Sequence, residues 1–238
     1  MSKAPTPRPR RRERRVLVID VGGTNVKLFM KGQKESRKVP SGRALTPALM
    51  VRRVKEAITG WSYDAISIGF PAPVIHGRPL LEPHNLGKGW LRFDFAKAFG
   101  RPVQMINDAA MQALGSYHGG RMLFLGLGTG LGSAMVVDGI VEPMELAHLP
   151  YRKDGTFEDY LGLRGLERLG KKRWEQHVGE ACRQLAQALE PDYIVLGGGN
   201  AKKLKALPPK GILGSNQNAF KGGLRLWRRT RRSRGIRV

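Results

Sequence analysis

The chain has 238 residues and 26.4 kDa, enough for one large domain or two smaller lobes. Its 41% hydrophobic content, with 31 glycines and 15 prolines, excludes coiled-coil, collagen-like and disordered classes. A single cysteine, Cys182, excludes an internal disulfide and a cysteine-built zinc site and favours a reducing compartment. The net charge of +23 is uneven, with +14 carried by residues 1–15 and 221–238, and it points toward polyanionic partners such as nucleic acid, anionic lipid or polyphosphate.

In chain order, a basic arm over 1–15 precedes the β-branched run Val16–Val21, which meets Gly22-Gly23 and resumes as Val26–Met30. That is the pattern of a hairpin closed by a glycine turn. The arginines at 8–15 are followed by too short an apolar run for a secretory signal, so a cytoplasmic protein is expected. Leu45–Thr59 has helical spacing, and Ala65–Phe70 reads as a buried strand. After a proline-rich loop, Val103–Ile106 is a third strand and Asp108 opens a helix to about Tyr117.

The second half repeats the theme in kind. Met122–Leu127 and Ser133–Val137 are strands around the glycine loop Gly128–Gly132, and Asp138-Gly139 is a hairpin turn. The uncharged stretch Met122–Val137 is shorter than the roughly 20 residues of a membrane span and is broken by glycines, so no membrane segment is expected. Residues 165–189 have helical character, Tyr193–Leu196 is a strand, and Ala201–Leu207 is a basic segment with helical character. Phe220, Leu224 and Trp227 fall on one helical face, which predicts a docked terminal helix.

Three glycine clusters each follow a predicted strand: Asp20–Lys27, Leu127–Gly132 and Gly197–Asn200. Loops without side chains expose converging backbone N–H groups and suit the many acceptor oxygens of phosphates, although each alone reads first as a tight turn. Thr24, Thr129 and Lys27 in or beside the clusters favour phosphate binding.

Asp20-Val21-Gly22-Gly23-Thr24-Asn25-Val26-Lys27 resembles the first phosphate motif of sugar kinases in the actin-like ATPase superfamily, specifically the ROK group. Asn107-Asp108-Ala109 resembles that group's catalytic segment, Leu127–Ser133 its second phosphate loop and Leu196–Asn200 its adenosine-side glycine motif. Gly69-Phe70-Pro71, Asn85–Trp90, Glu145–Pro150 and Phe157–Gly162 look most like polyphosphate glucokinases within the group. The likeness runs over about residues 16–227.

The resemblance implies an α/β, two-lobed actin-like ATPase (ribonuclease H-like) fold with a central active-site cleft. The expected divisions are a disordered basic arm at 1–15, an N-terminal lobe at 16–108 and a C-terminal lobe at 109–215. A helix at 216–227 would return to the first lobe, ahead of an Arg-rich tail at 228–238. The implied activity is transfer of the terminal phosphoryl group of polyphosphate, ATP or both to the 6-hydroxyl of glucose or a related hexose, with Asp108 as general base. Asp20 would hold Mg²⁺ directly or through water. Gly22, Gly23, Thr24, Lys27, Gly128, Thr129, Gly130, Gly198 and Gly199 would bind the donor, and Asn85, Asn107, Asp108, Glu145, His148 and Glu158 the sugar.

Other readings of the same residues remain open. Asn107-Asp108 has the form of a helix cap, Asn85 of a turn residue and His148 of a structural histidine. Two basic runs, Arg152 to Arg173 and Lys202 to Lys205, read either as a path for polyphosphate or as solvated faces. The zinc site of many relatives is not expected here, and a homodimer is implied by resemblance alone. Ala72 and Ala147 stand where relatives usually have glycine, so added methyls are expected to crowd the sugar or alter a backbone angle. The competing class is a sugar-responsive regulator or nucleic-acid-binding protein on the same fold without catalysis, with the basic tails as nonspecific polyanion binders.

Overall fold

The computed structural model describes residues 14–153, 155–215 and 217–227. Most of the expected arm at 1–15, and the tail at 228–238, lie outside them. Within the arm's described end, Arg15 pairs with Asp64 at 3.0 Å and the Arg14 guanidinium lies 4.8 Å from the Trp227 ring centre.

The first half comprises β1 (Val16–Val21), β2 (Asn25–Met30), β3 (Arg37–Pro40), α1 (Pro47–Ala57) and β4 (Ala65–Phe70). A small hairpin β5 (Val74–Ile75) and β6 (Arg78–Pro79), then α2 (Phe95–Phe99), β7 (Val103–Asn107) and α3 (Asp108–Ser116), complete it. Strands β1 and β4 are buried at every position, as continuous apolar runs between covered faces must be, whereas β2 alternates. The sheet order is β3-β2-β1-β4-β7, antiparallel on the β2–β3 side and parallel across β1, β4 and β7.

The second half comprises β8 (Arg121–Leu127), β9 (Leu131–Val137), β10 (Ile140–Met144), a small hairpin β11 (Pro150–Arg152) and β12 (Gly155–Thr156), and α4 (Phe157–Leu161). It continues through α5 (Leu163–Leu189), β13 (Tyr193–Gly197), β14 (Gly211–Leu213) and α6 (Asn218–Arg225). Its sheet order, β10-β9-β8-β13-β14, repeats the first sheet's pattern of antiparallel and parallel neighbours. The repetition is of topology and not of residues, which explains why it is faint in the sequence.

Helix α3 lies between the two sheets. Its Met111 packs with Val16, Val18 and Ala219, while Ala109, Ala110 and Ala113 pack against Phe124, Ala134 and Val136. The outer faces are closed by α1 and α2 on the first sheet and by α5 on the second, where the buried thiol of Cys182 sits among Leu185, Val178 and Trp174.

The terminal helix docks as its apolar face predicts. Phe220 stacks on Phe29 with ring centres 4.9 Å apart, and Trp227 donates its indole N–H to the Ser67 hydroxyl at 3.0 Å. At the α3–α6 crossing, a Cβ on Gly115 would lie 1.8 Å from the Asn218 carbonyl oxygen and one on Gly222 1.8 Å from that of Met111. Both positions therefore admit only glycine at this spacing.

Two local expectations are corrected. The segment Ala201–Leu207 forms only a 3-10 turn, Ala201–Lys203, before the chain turns through Pro208 toward β14. The helix expected over 165–189 starts at Leu163 and is broken at Gly170, whose φ of 74° no continuous right-handed helix contains.

Candidate active site

The carboxyl ends of the parallel strands carry the candidate residues, where open α/β sheets bind their ligands. On the first sheet Asp20 is in register with Gly69, and Gly69 with Ile106, so Asp20 and the α3 start at Asp108 belong to the same sheet end. Gly69 sets their spacing, because a Cβ there would lie 2.3 Å from the Met111 methyl carbon and 3.5 Å from the Asp108 Cα.

Asn107 caps α3 by accepting from the Ala110 N–H at 3.1 Å, and its amide donates to the Ala72 carbonyl at 3.4 Å. The cap reading is thus correct for Asn107. Asp108, the first helical residue, accepts from the Ala109 N–H at 2.7 Å with Oδ1. Burial, then repulsion from Asp20 and Glu145, raises its carboxyl to about 7 against the stabilising backbone N–H groups. A proton acceptor that titrates near neutrality is suited to general-base work.

Asp20 is 6% exposed and accepts from Lys27 Nζ at 3.2 Å, its opposite neighbour on β2. Lys27 is therefore tied first to this carboxylate, leaving the rest of its ammonium for anions nearby. The first glycine turn is closed by the Gly22 N–H donating to the Asn25 carbonyl at 3.0 Å. It is braced by Ser41, whose hydroxyl donates to the Gly22 carbonyl at 2.5 Å and whose N–H donates to the Thr24 carbonyl at 3.0 Å. Sequence reasoning missed Ser41, since the pairing of β2 with β3 alone brings it there. Asn85 stands beside this turn, with its Cβ 3.5 Å from where a Gly23 Cβ would be. The buried Leu86 and Trp90 hold that loop, and the Trp90 indole N–H donates to the Gly87 carbonyl at 2.6 Å.

On the second sheet, the Gly128 N–H donates to the Gly130 carbonyl at 3.1 Å, closing the second glycine turn. Glu158, carried by α4, accepts from the Leu131 N–H at 3.2 Å and so belongs to this loop. Arg164, in the basic run that read either as a polyphosphate path or as a solvated face, lies 3.5 Å from the Glu158 carboxylate. The third cluster joins the second through Asn200, whose amide donates to the Gly128 carbonyl at 3.0 Å. Gly198, at φ 80°, is required by packing because its Cβ would lie 2.4 Å from the Leu127 carbonyl oxygen, whereas Gly199 faces open space.

Glu145 and His148 flank a 3-10 turn with their side chains 3.8 Å apart, and His148 is 76% exposed. Burial and the neighbouring Glu158 raise the Glu145 carboxyl, partly opposed by His148. Asp20, Asp108, Glu145 and Glu158 thus form an electrostatically linked series of carboxylates within a strongly basic chain. The Ala147 methyl is buried in the second core, and neither Ala72 nor Ala147 has positive φ.

The Asp20 carboxylate is a hard oxygen donor of the kind that Mg²⁺ takes together with phosphate oxygens.

Gly130 can be tested directly, since a Cβ there would lie 2.4 Å from Glu158 Oε2. Gly130→Ala is expected to displace the Glu158 carboxylate from the Leu131 N–H while leaving the fold intact, read as faster hydrogen exchange at the Leu131 amide with an unchanged circular dichroism spectrum.

Two sheets of matching order, facing carboxylates and glycine turns at their parallel strand ends, define the two-lobed actin-like ATPase (ribonuclease H-like) fold. The model of the ROK family matches residues 16–142, and the chain belongs to that family. It is 25% identical over 206 residues to the polyphosphate glucokinase of Mycobacterium tuberculosis, covering 78% of this chain and 77% of that protein. The inorganic polyphosphate/ATP-glucomannokinase of Arthrobacter sp. strain KM has a similar structure, with a TM-score of 0.75, 25% identity and coverage of 89% of this chain and 97% of that one. A ROK family transcriptional regulator, homologous to the E. coli MLC protein, shares the fold at a TM-score of 0.72, 17% identity and coverage of 89% and 77%. The fold alone therefore does not separate enzyme from regulator.

Proposed function

We propose that the protein is a cytoplasmic sugar kinase that transfers the terminal phosphoryl group of polyphosphate or ATP to the 6-hydroxyl of glucose. The observation that carries this reading is the strand register that brings Asp20 and the α3 start at Asp108 to one sheet end, where burial and then the charges of Asp20 and Glu145 raise the Asp108 carboxyl. The relatives named above support the substrate class, and the net charge of +23 favours polyphosphate as a donor.

In the reaction, Asp108 accepts the hydroxyl proton as the sugar oxygen bonds to phosphorus and the donor's terminal P–O bond breaks. Asn107, Glu145, Glu158 and Asn85 orient the sugar through its hydroxyls, with His148 beside Glu145 at the rim. The turns that the Gly22 and Gly128 N–H groups close receive the donor through the N–H groups of Gly23, Thr24, Thr129 and Gly130 and the two threonine hydroxyls, and Gly199 leaves room for a nucleotide. Asp20 would hold Mg²⁺, directly or through water, and the ion would offset charge on the phosphate oxygens. We assign 16–108 and 109–215 to the two lobes that close around these groups.

The test is formation of glucose 6-phosphate by the full chain with Mg²⁺ and either polyphosphate or ATP, across a panel of hexoses. Product from glucose with polyphosphate is expected. No product from any donor and hexose, with protein shown to be folded, overturns the kinase reading.

A further inference from the structure

Hairpin β11–β12, α4 and α5 border an open pocket of about 370 Å³, lined by Arg152, Lys153, Tyr160 and His177. Small-ligand sites begin at about this size. It lies away from the cleft: Glu158 reaches the second glycine loop, whereas Tyr160, two residues on, is turned by about 200° around the same helix.

The walls combine cations with aromatic faces. Tyr151 and Tyr160 meet edge to face at 5.1 Å and each meets the His177 ring, at 5.6 and 4.9 Å. The Arg152 guanidinium lies 5.7 Å from the Tyr151 ring centre and that of Arg168 5.0 Å from Tyr160. Arg152 meets Glu180 at 2.6 Å through Nη2 alone, Arg168 donates to the Asp159 carbonyl at 2.9 Å, and Lys153 has no ion-pair partner among the described residues. The Tyr151 hydroxyl and His177 Nδ1 are 3.1 Å apart, and burial, then Arg152, holds the imidazole below its usual range. The pocket thus collects positive charge from guanidinium and ammonium groups, with hydrogen-bonding rings as its floor. This suits a compact, multiply charged oxyanion attached to an apolar or ring-shaped body.

We propose that this pocket is a second phosphoryl-binding site, separate from the catalytic cleft, in which Arg152 and Lys153 hold the phosphoryl group and Tyr160 and His177 hold what carries it. The group is borne either by a phosphomonoester, such as a sugar phosphate, or by a phosphoanhydride chain.

The chain has five histidines, so two of them can report the two sites. Imidazole resonances of His177 for the pocket and His148 for the cleft would be assigned with His177→Gln and His148→Gln and followed in the full-length protein. Inorganic phosphate, glucose 6-phosphate and tripolyphosphate would be titrated separately. A saturable shift of His177 is expected, weakened at least about tenfold in Lys153→Glu and in Arg152→Gln while the His148 response is retained. Tightest binding of glucose 6-phosphate identifies the monoester, and tightest binding of tripolyphosphate identifies the chain. A silent His177 with all three probes, or a shift indifferent to both substitutions, overturns the proposal. The readout needs no turnover, so the result is independent of the kinase assay.

Discussion

Asp108→Asn is expected to lower kcat by about 10²–10⁴-fold with little change in sugar affinity, because the amide keeps the side chain's shape and its contact with the Ala109 N–H but accepts no proton. The wild-type kcat/KM should rise with pH through about 7, where the free carboxyl loses its proton, and this limb should vanish in the variant. The same substitution has an opposite consequence for stability. A carboxyl held near 7 in the fold and near 3.8 when unfolded keeps a proton that the unfolded chain releases, so its ionisation works against folding as pH rises through that interval. Asp108→Asn should therefore stabilise the protein at pH 8 relative to pH 4, by an amount on the order of a few kcal/mol, measurable by denaturant unfolding at both pH values. An inactive, equally stable variant would separate the proton-accepting role from the electrostatic strain.

Gly222→Ala, like Gly115→Ala across the same crossing, should be among the most damaging single-methyl changes outside the cleft. The added carbon would lie 1.8 Å from the Met111 carbonyl oxygen and 3.0 Å from the Gly115 nitrogen, both backbone atoms of α3 that cannot rotate away. Relief requires α6 to lift from α3 and β1, which breaks the buried bond from the Asn218 amide to the Ser116 hydroxyl at 2.8 Å and the stacking of Phe220 on Phe29. A loss of about 3 kcal/mol or more is expected, lowering Tm by roughly 6–12 °C in a chain of this size. Gly199→Ala, whose Cβ meets nothing within 4 Å, should change stability by less than about 0.5 kcal/mol in the same thermal scan.

The parts of the fold legible in the sequence are those in which one short segment carries its own signal. Val16–Val21 and Ala65–Phe70 match their strands because strands buried on both faces must be apolar throughout. The Asp138-Gly139 turn and the apolar face of the terminal helix were equally readable, since φ is 51° and 80° at that turn and Phe220, Leu224 and Trp227 pack on Val16 and Val18. Contacts between distant segments were not. Arg164 looked like free positive charge until α4 brought Glu158 beside it, and Ser41 had no motif because it acts on the first glycine turn only through β3. The methyl of Ala147 could be placed in the core only once the 3-10 turn was seen. Gly170 shows the remaining difficulty: a lone glycine inside a helical pattern reads the same whether the helix continues or breaks.

The buried sulfur of Cys182 gives the molecule a reporter of its own. Burial pushes this thiol up to about 12, so in the folded state it is neither a thiolate nor within reach of an alkylating reagent. Because it is also the one cysteine in the chain, covalent labelling by iodoacetamide has a single target, exposed only when the second core opens. The labelling rate under native conditions therefore counts excursions of that core, and its response to sugar or phosphate measures how far a ligand suppresses them.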